Sequence, residues 1–250
     1  MKTRLDQLLV ARGLFESRAK AQAAVSAGCV RVGGAVVDRP ATLVEADADL
    51  EAAPAHPWVG RGALKLDHAL SLWPVRVEGR VVLDVGASTG GFTEVCLARG
   101  ARRVYAVDVG RGQLHPRLCA DPRVLALERV DARRLDRTLV PDAPELVVAD
   151  VSFIGLAKAL PAALALAVPD ADLITLVKPQ FEVGLERVGR GGLVRDAAAR
   201  ADAEAAVGRF LQSQGWTVRA AADSPIAGGD GALERLLWAT HTPTAAVIAL

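Results

Sequence analysis

The spacing of apolar positions changes near residue 60. Before it, Leu5, Leu8 and Leu9 recur at helical intervals, and Gly13 can close that turn. Ser17 then stands as an N-cap for SRAKAQAAVSAG, with Gly28 at its far end. CVRV and AVV follow on either side of Gly33-Gly34, a pair suited to a tight hairpin. Two short helices and a hairpin bury little apolar area, so residues 1–52 predict a small α+β module. Residues 53–60, APAHPWVG, carry two prolines and predict a linker, with Trp58 able to anchor it on a neighbour.

From residue 61 to 250, strand-length apolar runs alternate with helical patterns. Strands are predicted at 81–85, 103–109, 124–130, 145–151, 172–177 and about 216–221. Helices are predicted over 92–99, 156–168 and 196–213, and residues 233–241 predict a last strand that can run antiparallel. This alternation predicts an α/β domain, a Rossmann-like parallel sheet with helices on both faces.

Composition narrows the function classes. The longest uninterrupted apolar stretch, Leu160 to Val168, is nine residues, against roughly 20 for a membrane span. The start, MKTRLDQLLV, lacks the apolar core of a signal peptide, so the expectation is a cytoplasmic protein with no membrane partner. Cys29, Cys96 and Cys119 are scattered and form no CxxC pair, which argues against disulfides and against a metal site. Each is expected as a small buried hydrophobe. The net charge of +1 does not by itself point to a polyanion, but residues 1–40 hold seven basic and three acidic residues. Such a local surplus suits either phosphate contacts or a solvated face.

The sharpest local signal is VVLDVGASTGGF at 81–92. A strand ends at Asp84, and the turn Gly86-Ala87-Ser88-Thr89-Gly90-Gly91-Phe92 leads into a helix. A dinucleotide fingerprint reads GxGxxG, whereas here the spacing is GxxxGG behind an acid. That variant suits S-adenosyl-L-methionine (SAM), which has no pyrophosphate to cradle but has an amino-acid end and a ribose. Asp108 ends the second strand, Asp131 follows the third and Asp150 ends the fourth. In a doubly wound sheet these strand ends share one crevice, where Asp108 can accept ribose hydroxyls and Asp131 the adenine amino group. Helix caps and surface loop acids are the alternative for each.

The fourth strand's end bears on what is methylated. Methylation of base amino groups typically uses an Asn/Asp-Pro-Pro-aromatic turn, and this chain has Asp150-Val151-Ser152-Phe153. Phe153 is expected in the core, with contact to cofactor or substrate as the alternative. Pyrimidine C5 methylation needs a cysteine nucleophile, and neither Cys96 nor Cys119 falls at a strand end. Lys178 does, in LVKPQFE. A lysine at a sheet terminus is costly unless paired or deprotonated, and a weakly acidic ribose hydroxyl is helped by a base.

GALKL at 62–66, DVGASTGGFTEV at 84–95, VVADVSFI at 147–154, LVKPQFEVG at 176–184 and LERLLW at 233–238 together resemble the TlyA (haemolysin-A-like) ribosomal RNA methyltransferases, within the wider FtsJ-type ribose 2′-O-methyltransferases. The resemblance covers nearly the whole chain. It implies a tetrad of Lys65, Asp150, Lys178 and Glu234, with Lys178 as base or hydroxyl-orienting group. Taken singly, Lys65 and Glu234 read as surface ion-pair residues; only the family pattern gives them a site. The first module resembles the RNA-binding fold of ribosomal small-subunit protein four, implying Arg4, Arg18, Lys20 and Arg31 as phosphate contacts.

The implied reaction is SAM-dependent 2′-O-methylation of a cytidine in ribosomal RNA, with rRNA or ribosomal subunits as partners. Where the family linker reads Arg-Ala-Trp-Val, this chain has His56-Pro57-Trp58-Val59, and Arg235 and Leu236 replace aromatics after the tetrad glutamate. The short tail resembles compact members confined to the large subunit. An rRNA-binding protein without chemistry, or an enzyme acting on another RNA, stays open as an alternative.

Overall fold

The computed structural model describes residues 2–229 and 231–242. They form two compact units that divide between Pro57 and Trp58.

The first unit runs β1 (Lys2–Arg4), α1 (Leu5–Ala11), α2 (Arg18–Ser26), β2 (Val30–Val32), β3 (Ala35–Val36), β4 (Leu43–Glu45) and β5 (Leu50–Ala52). The side chain of Ser17 accepts the Lys20 amide at the start of α2, as the sequence predicts. β2 and β3 form the expected antiparallel hairpin, and β5 joins the other edge of β2. The strands β1, β4 and β5 were not predicted. Each is only three residues long, too short for alternation to stand out. Leu5, Leu8, Leu9, Phe15, Ala21, Ala24, Val25, Val30 and Val44 make the core.

The second unit begins with α3 (Gly62–Leu72), β6 (Val81–Val85), α4 (Gly91–Ala98), β7 (Arg103–Asp108), α5 (Pro116–Cys119), β8 (Val124–Glu128) and β9 (Leu146–Ala149). It continues with α6 (Leu156–Ala159), α7 (Pro161–Ala165), β10 (Asp172–Val177), α8 (Pro179–Glu182), α9 (Ala197–Ser213), β11 (Trp216–Asp223) and β12 (Arg235–His241). The strand order is β11-β12-β10-β9-β6-β7-β8. β6 to β10 are parallel, and β12 is antiparallel to both β10 and β11. Alternate residues face opposite layers. Val81, Leu83 and Val85 join α6, α7 and α9, whereas Val82 faces the core built by α3 and α4. β6 and β9 are the neighbours from which the sheet is wound in both directions, so the crevice beyond their carboxyl ends is the switch point.

Three expectations need correction. The single helix over 156–168 is two short helices, because Pro161 has no N–H to continue the ladder. Helix α3 was missed, although its residues supplied the GALKL motif. Of the cysteines only Cys96 is buried; Cys29 is intermediate and Cys119 exposed. Among the described residues no helix is long and apolar enough to cross a membrane.

Candidate active site

The turn after β6 is set by close approach. Gly86 has φ +85°, and a Cβ there would lie 2.8 Å from the Asp150 carbonyl oxygen. Only glycine lets the two central strands end this close together. Gly90 opens α4 at φ +95°, where a Cβ would strike Leu118 and Leu114. Gly91 in turn lies under the start of α3, where a Cβ would be 2.8 Å from the Ala63 amide. These contacts bring α3, the glycine turn and the end of β9 around one pocket. It is lined by Gly62, Gly86, Ala87, Ser88, Thr89, Gly91, Phe92, Asp150, Ser152 and Lys178.

The four side chains of the expected tetrad come from α3, the ends of β9 and β10, and the residue before β12, and they meet in an alternating row. Lys178 Nζ lies 2.5 Å from Asp150 Oδ1, Asp150 Oδ2 lies 3.6 Å from Lys65 Nζ, and Lys65 Nζ lies 2.6 Å from Glu234 Oε2. Lys65, Lys178 and Glu234 are buried. Two cations and two anions alternate, so each buried charge has an opposite neighbour, without which its burial would be prohibitive. Lys178 also donates to Ser152 Oγ at 2.8 Å. Asp150, Ser152 and Lys178 line the pocket, while Lys65 and Glu234 stand behind them. The sequence reading did not assign Ser152, although it lies two residues after Asp150 within a quoted motif.

The acids of the sheet mouth differ in setting. Asp84 is fully buried beneath the turn; its Oδ2 accepts Thr93 Oγ1 at 2.6 Å, and its Oδ1 has no hydrogen-bond partner among the described residues. Burial pushes its carboxyl up to about 7. Asp108 is fixed by two backbone amides, Ser88 N–H on Oδ2 at 2.8 Å and Gly110 N–H on Oδ1 at 2.7 Å. Asp131 is held by Arg133, whose guanidinium keeps its carboxyl down at about 2. Asp84, Gly90, Asp108 and Asp131 are not among the pocket-lining residues.

Phe153 corrects an expectation. It is 92% exposed rather than in the core, and its φ of +66° is rare for a bulky side chain. That turn throws the ring outward, where it lies 5.4 Å from the ring of Phe181.

In the first unit, the four cations expected to touch phosphate all have partners nearby. Arg4 donates through Nε and Nη2 to the carboxylate of Asp6, each at 3.0 Å. Arg18 Nε and Gln22 Nε2 donate to Asp6 Oδ2 at 2.8 and 2.7 Å. Lys20 pairs with Glu16, and Arg31 donates to the Gly34 carbonyl. Asp6 is fully buried, a role that a lone acid in a basic segment did not reveal.

Comparison with known proteins agrees with this architecture. Residues 58–240 match the FtsJ-like methyltransferase family, and residues 3–50 match the S4 domain. The chain is 48% identical to the 16S/23S rRNA (cytidine-2′-O)-methyltransferase TlyA of Mycobacterium tuberculosis, over 95% of this chain and 89% of that one. It is 36% identical to the 23S rRNA (cytidine-2′-O)-methyltransferase TlyA of Campylobacter jejuni, over 71% and 68%. A solved structure from Streptococcus thermophilus, described as that of a hemolysin, superposes with a TM-score of 0.77 at 38% identity, over 97% and 90%. The glycine turn at the switch point, the family match and these relatives together establish that the chain belongs to the FtsJ-like methyltransferases, in the TlyA family.

Proposed function

We propose that this chain transfers the methyl group of SAM to the ribose 2′-hydroxyl of a cytidine in ribosomal RNA, with large-subunit RNA as a substrate. The observation that carries the proposal is the Lys178–Asp150–Lys65–Glu234 row, whose front members open into the pocket beside the glycine turn. The names of both relatives share 23S rRNA and cytidine-2′-O chemistry, which supports the choice of nucleotide and subunit.

The residues present fit SAM. Gly86, Ala87, Ser88, Thr89, Gly91 and Phe92 offer a close backbone approach, with Gly90 completing the turn. Asp84 has a buried oxygen without a partner among the described residues, Asp108 presents a fixed acceptor for ribose hydroxyls, and Asp131 offers the adenine amino group whatever lone pairs Arg133 leaves. Bound there, SAM supplies an electrophilic methyl on a sulfonium. Lys178 holds the attacking hydroxyl: Asp150 pairs with its charge and Ser152 accepts one of its three N–H donors, which leaves a donor for the pocket. Asp150 fixes that ammonium, and Lys65 with Glu234 balances Asp150 from behind. Much of the acceleration comes from alignment of the hydroxyl for in-line displacement.

Phe153 presents its exposed ring to the substrate side. Residues 1–52, with Arg4, Arg18, Lys20 and Arg31, serve as the RNA-binding module; residues 53–60 link it to the methyltransferase domain at 61–250.

Mapping ribose methylation in both ribosomal RNAs by mass spectrometry, in cells with and without the protein, tests the proposal. The expected result is loss of one large-subunit 2′-O-methylcytidine. An unchanged map in both subunits, with no transfer to undermodified subunits in vitro, would sink it and favour a binding protein without chemistry.

A further inference from the structure

We infer that an arginine-lined pocket in the loop between α8 and α9 takes a phosphodiester of the substrate RNA strand, an inference that rests on the RNA-methylation reading. The pocket is lined by Arg187, Gly189, Arg190, Leu193, Arg195 and Asp196. It lies beyond α8 on the segment that follows Lys178, its first lining residue nine positions after that lysine.

The loop is built rather than loose. The Gly189 amide donates to the Leu193 carbonyl at 3.0 Å, and the Gly192 amide donates to the Gly189 carbonyl. Gly191 and Gly192 take φ of +77° and +78°, which lets the chain reverse tightly between the arginines. Arg200 reaches back from α9 to the carbonyls of Val194 and Arg195 and pins the loop's far side.

The charges inside are unequally used. Asp196 spends its carboxylate on the Ala198 and Ala199 amides at the start of α9, with one oxygen also 3.6 Å from Arg187. Arg187 is paired with Asp202 at 2.8 Å. Glu186 is exposed and folds over Gly184, where a Cβ would meet its carboxylate. The guanidinium groups of Arg190 and Arg195 have no hydrogen-bond or ion-pair partner among the described residues, and both are exposed. Two unspent planar forks beside a concave, glycine-rich backbone match the oxygens of a phosphate, which an arginine can grip in bidentate fashion. Such contacts place a strand without reading its sequence.

The test compares the full chain with its Arg190→Ala/Arg195→Ala double variant on undermodified large subunits. It measures kcat, KM, SAM affinity and the dependence of kcat/KM on salt. The expected result is a KM raised about tenfold or more, kcat and SAM affinity within about twofold, and a logarithmic salt slope shallower by about one to two. The Arg190→Lys/Arg195→Lys variant should keep most of the salt slope, because the charge survives while the fork is lost. Unchanged KM and salt slope in an active double variant would overturn this inference and leave the methylation reading intact. Loss of SAM affinity instead would assign the loop a structural role and overturn it equally. Stabilisation of the wild type by inorganic phosphate that vanishes in the double variant, with KM unmoved, would make the pocket a free-anion site and count against RNA. A wild type that neither binds nor methylates subunits would end both readings together.

Discussion

Asp6 in the first unit and Asp150 in the second are each held between two cationic side chains, and the cations differ. Asp6 accepts from the guanidinium groups of Arg4 and Arg18 and from Gln22, and it is fully buried. Two outward-reaching, partly exposed guanidinium groups and Gln22 give its carboxylate four hydrogen bonds, which fix it in place. Asp150 lies between two ammonium groups that are themselves buried, at 2.5 and 3.6 Å. One of them keeps a donor for the pocket. A carboxylate between arginines fastens a fold, whereas a carboxylate between buried lysines poises a charge beside a cavity.

The largest expected effect separates the two clusters through chemistry. Lys178→Ala should lower methyl transfer by about 10²-fold or more, the scale at which lost alignment of the reacting group costs rate. Asp150 keeps Lys65 as a partner in that variant, so folding and SAM affinity should change little. Tritiated-methyl transfer and calorimetric titration of SAM check the two halves. Equal losses in both would mean that the row is structural, like its counterpart around Asp6.

Asp84 sharpens the comparison because it has neither kind of cation. Its carboxyl, pushed up to about 7 by burial, stays protonated in the folded chain where an unfolded aspartate is already ionised. A raised carboxylate pKa withdraws stability as pH climbs from the unfolded value, near 4, to the folded one, after which the penalty is constant. Between pH 5 and pH 8 the wild type should therefore lose about 2.5 kcal/mol relative to Asp84→Asn, read from paired urea titrations. A difference that does not vary with pH would mean that the buried carboxyl ionises at its ordinary value.

How much of this was legible follows from the range of each interaction. The parallel strands of the sheet were readable because burial on both faces leaves unbroken runs such as VVLDV and LVVA. The glycine turn was readable because close approach of Asp150 admits no side chain at Gly86. Lys178 could be suspected from its place after a strand. Lys65 and Glu234 lie 169 residues apart in the chain, and nothing local to either shows that their side chains meet at 2.6 Å. Family likeness named them; the fold gives the reason. Phe153 was misplaced because apolar character predicts burial, whereas a left-handed turn after the site residue decides its direction. Asp6 was counted only as a charge against the basic residues around it, because its three partners come from β1 and from successive turns of α2.

The smallest expected effect concerns that residue. Arg4 above all, then Gln22 and Arg18, hold the Asp6 carboxyl well below the usual carboxylate range, against the opposing pull of burial. A depressed folded pKa gives stability that is present above the unfolded value and lost as pH falls through the folded one, so the contribution should persist to about pH 4 and fade below it. Asp6→Ala should destabilise the first unit by about 2 kcal/mol at neutral pH. That is less than for a pair buried on both sides, because Arg4 and Arg18 are half exposed and can turn to water. Amide hydrogen exchange in the full chain resolves this: protection in α1 and α2 should drop at pH 7, while β6 and β10 keep theirs. Methyl transfer per bound subunit should be unchanged even where subunit affinity falls. A loss of turnover as large as that of Lys178→Ala would erase the distinction between the fastening cluster and the reactive one.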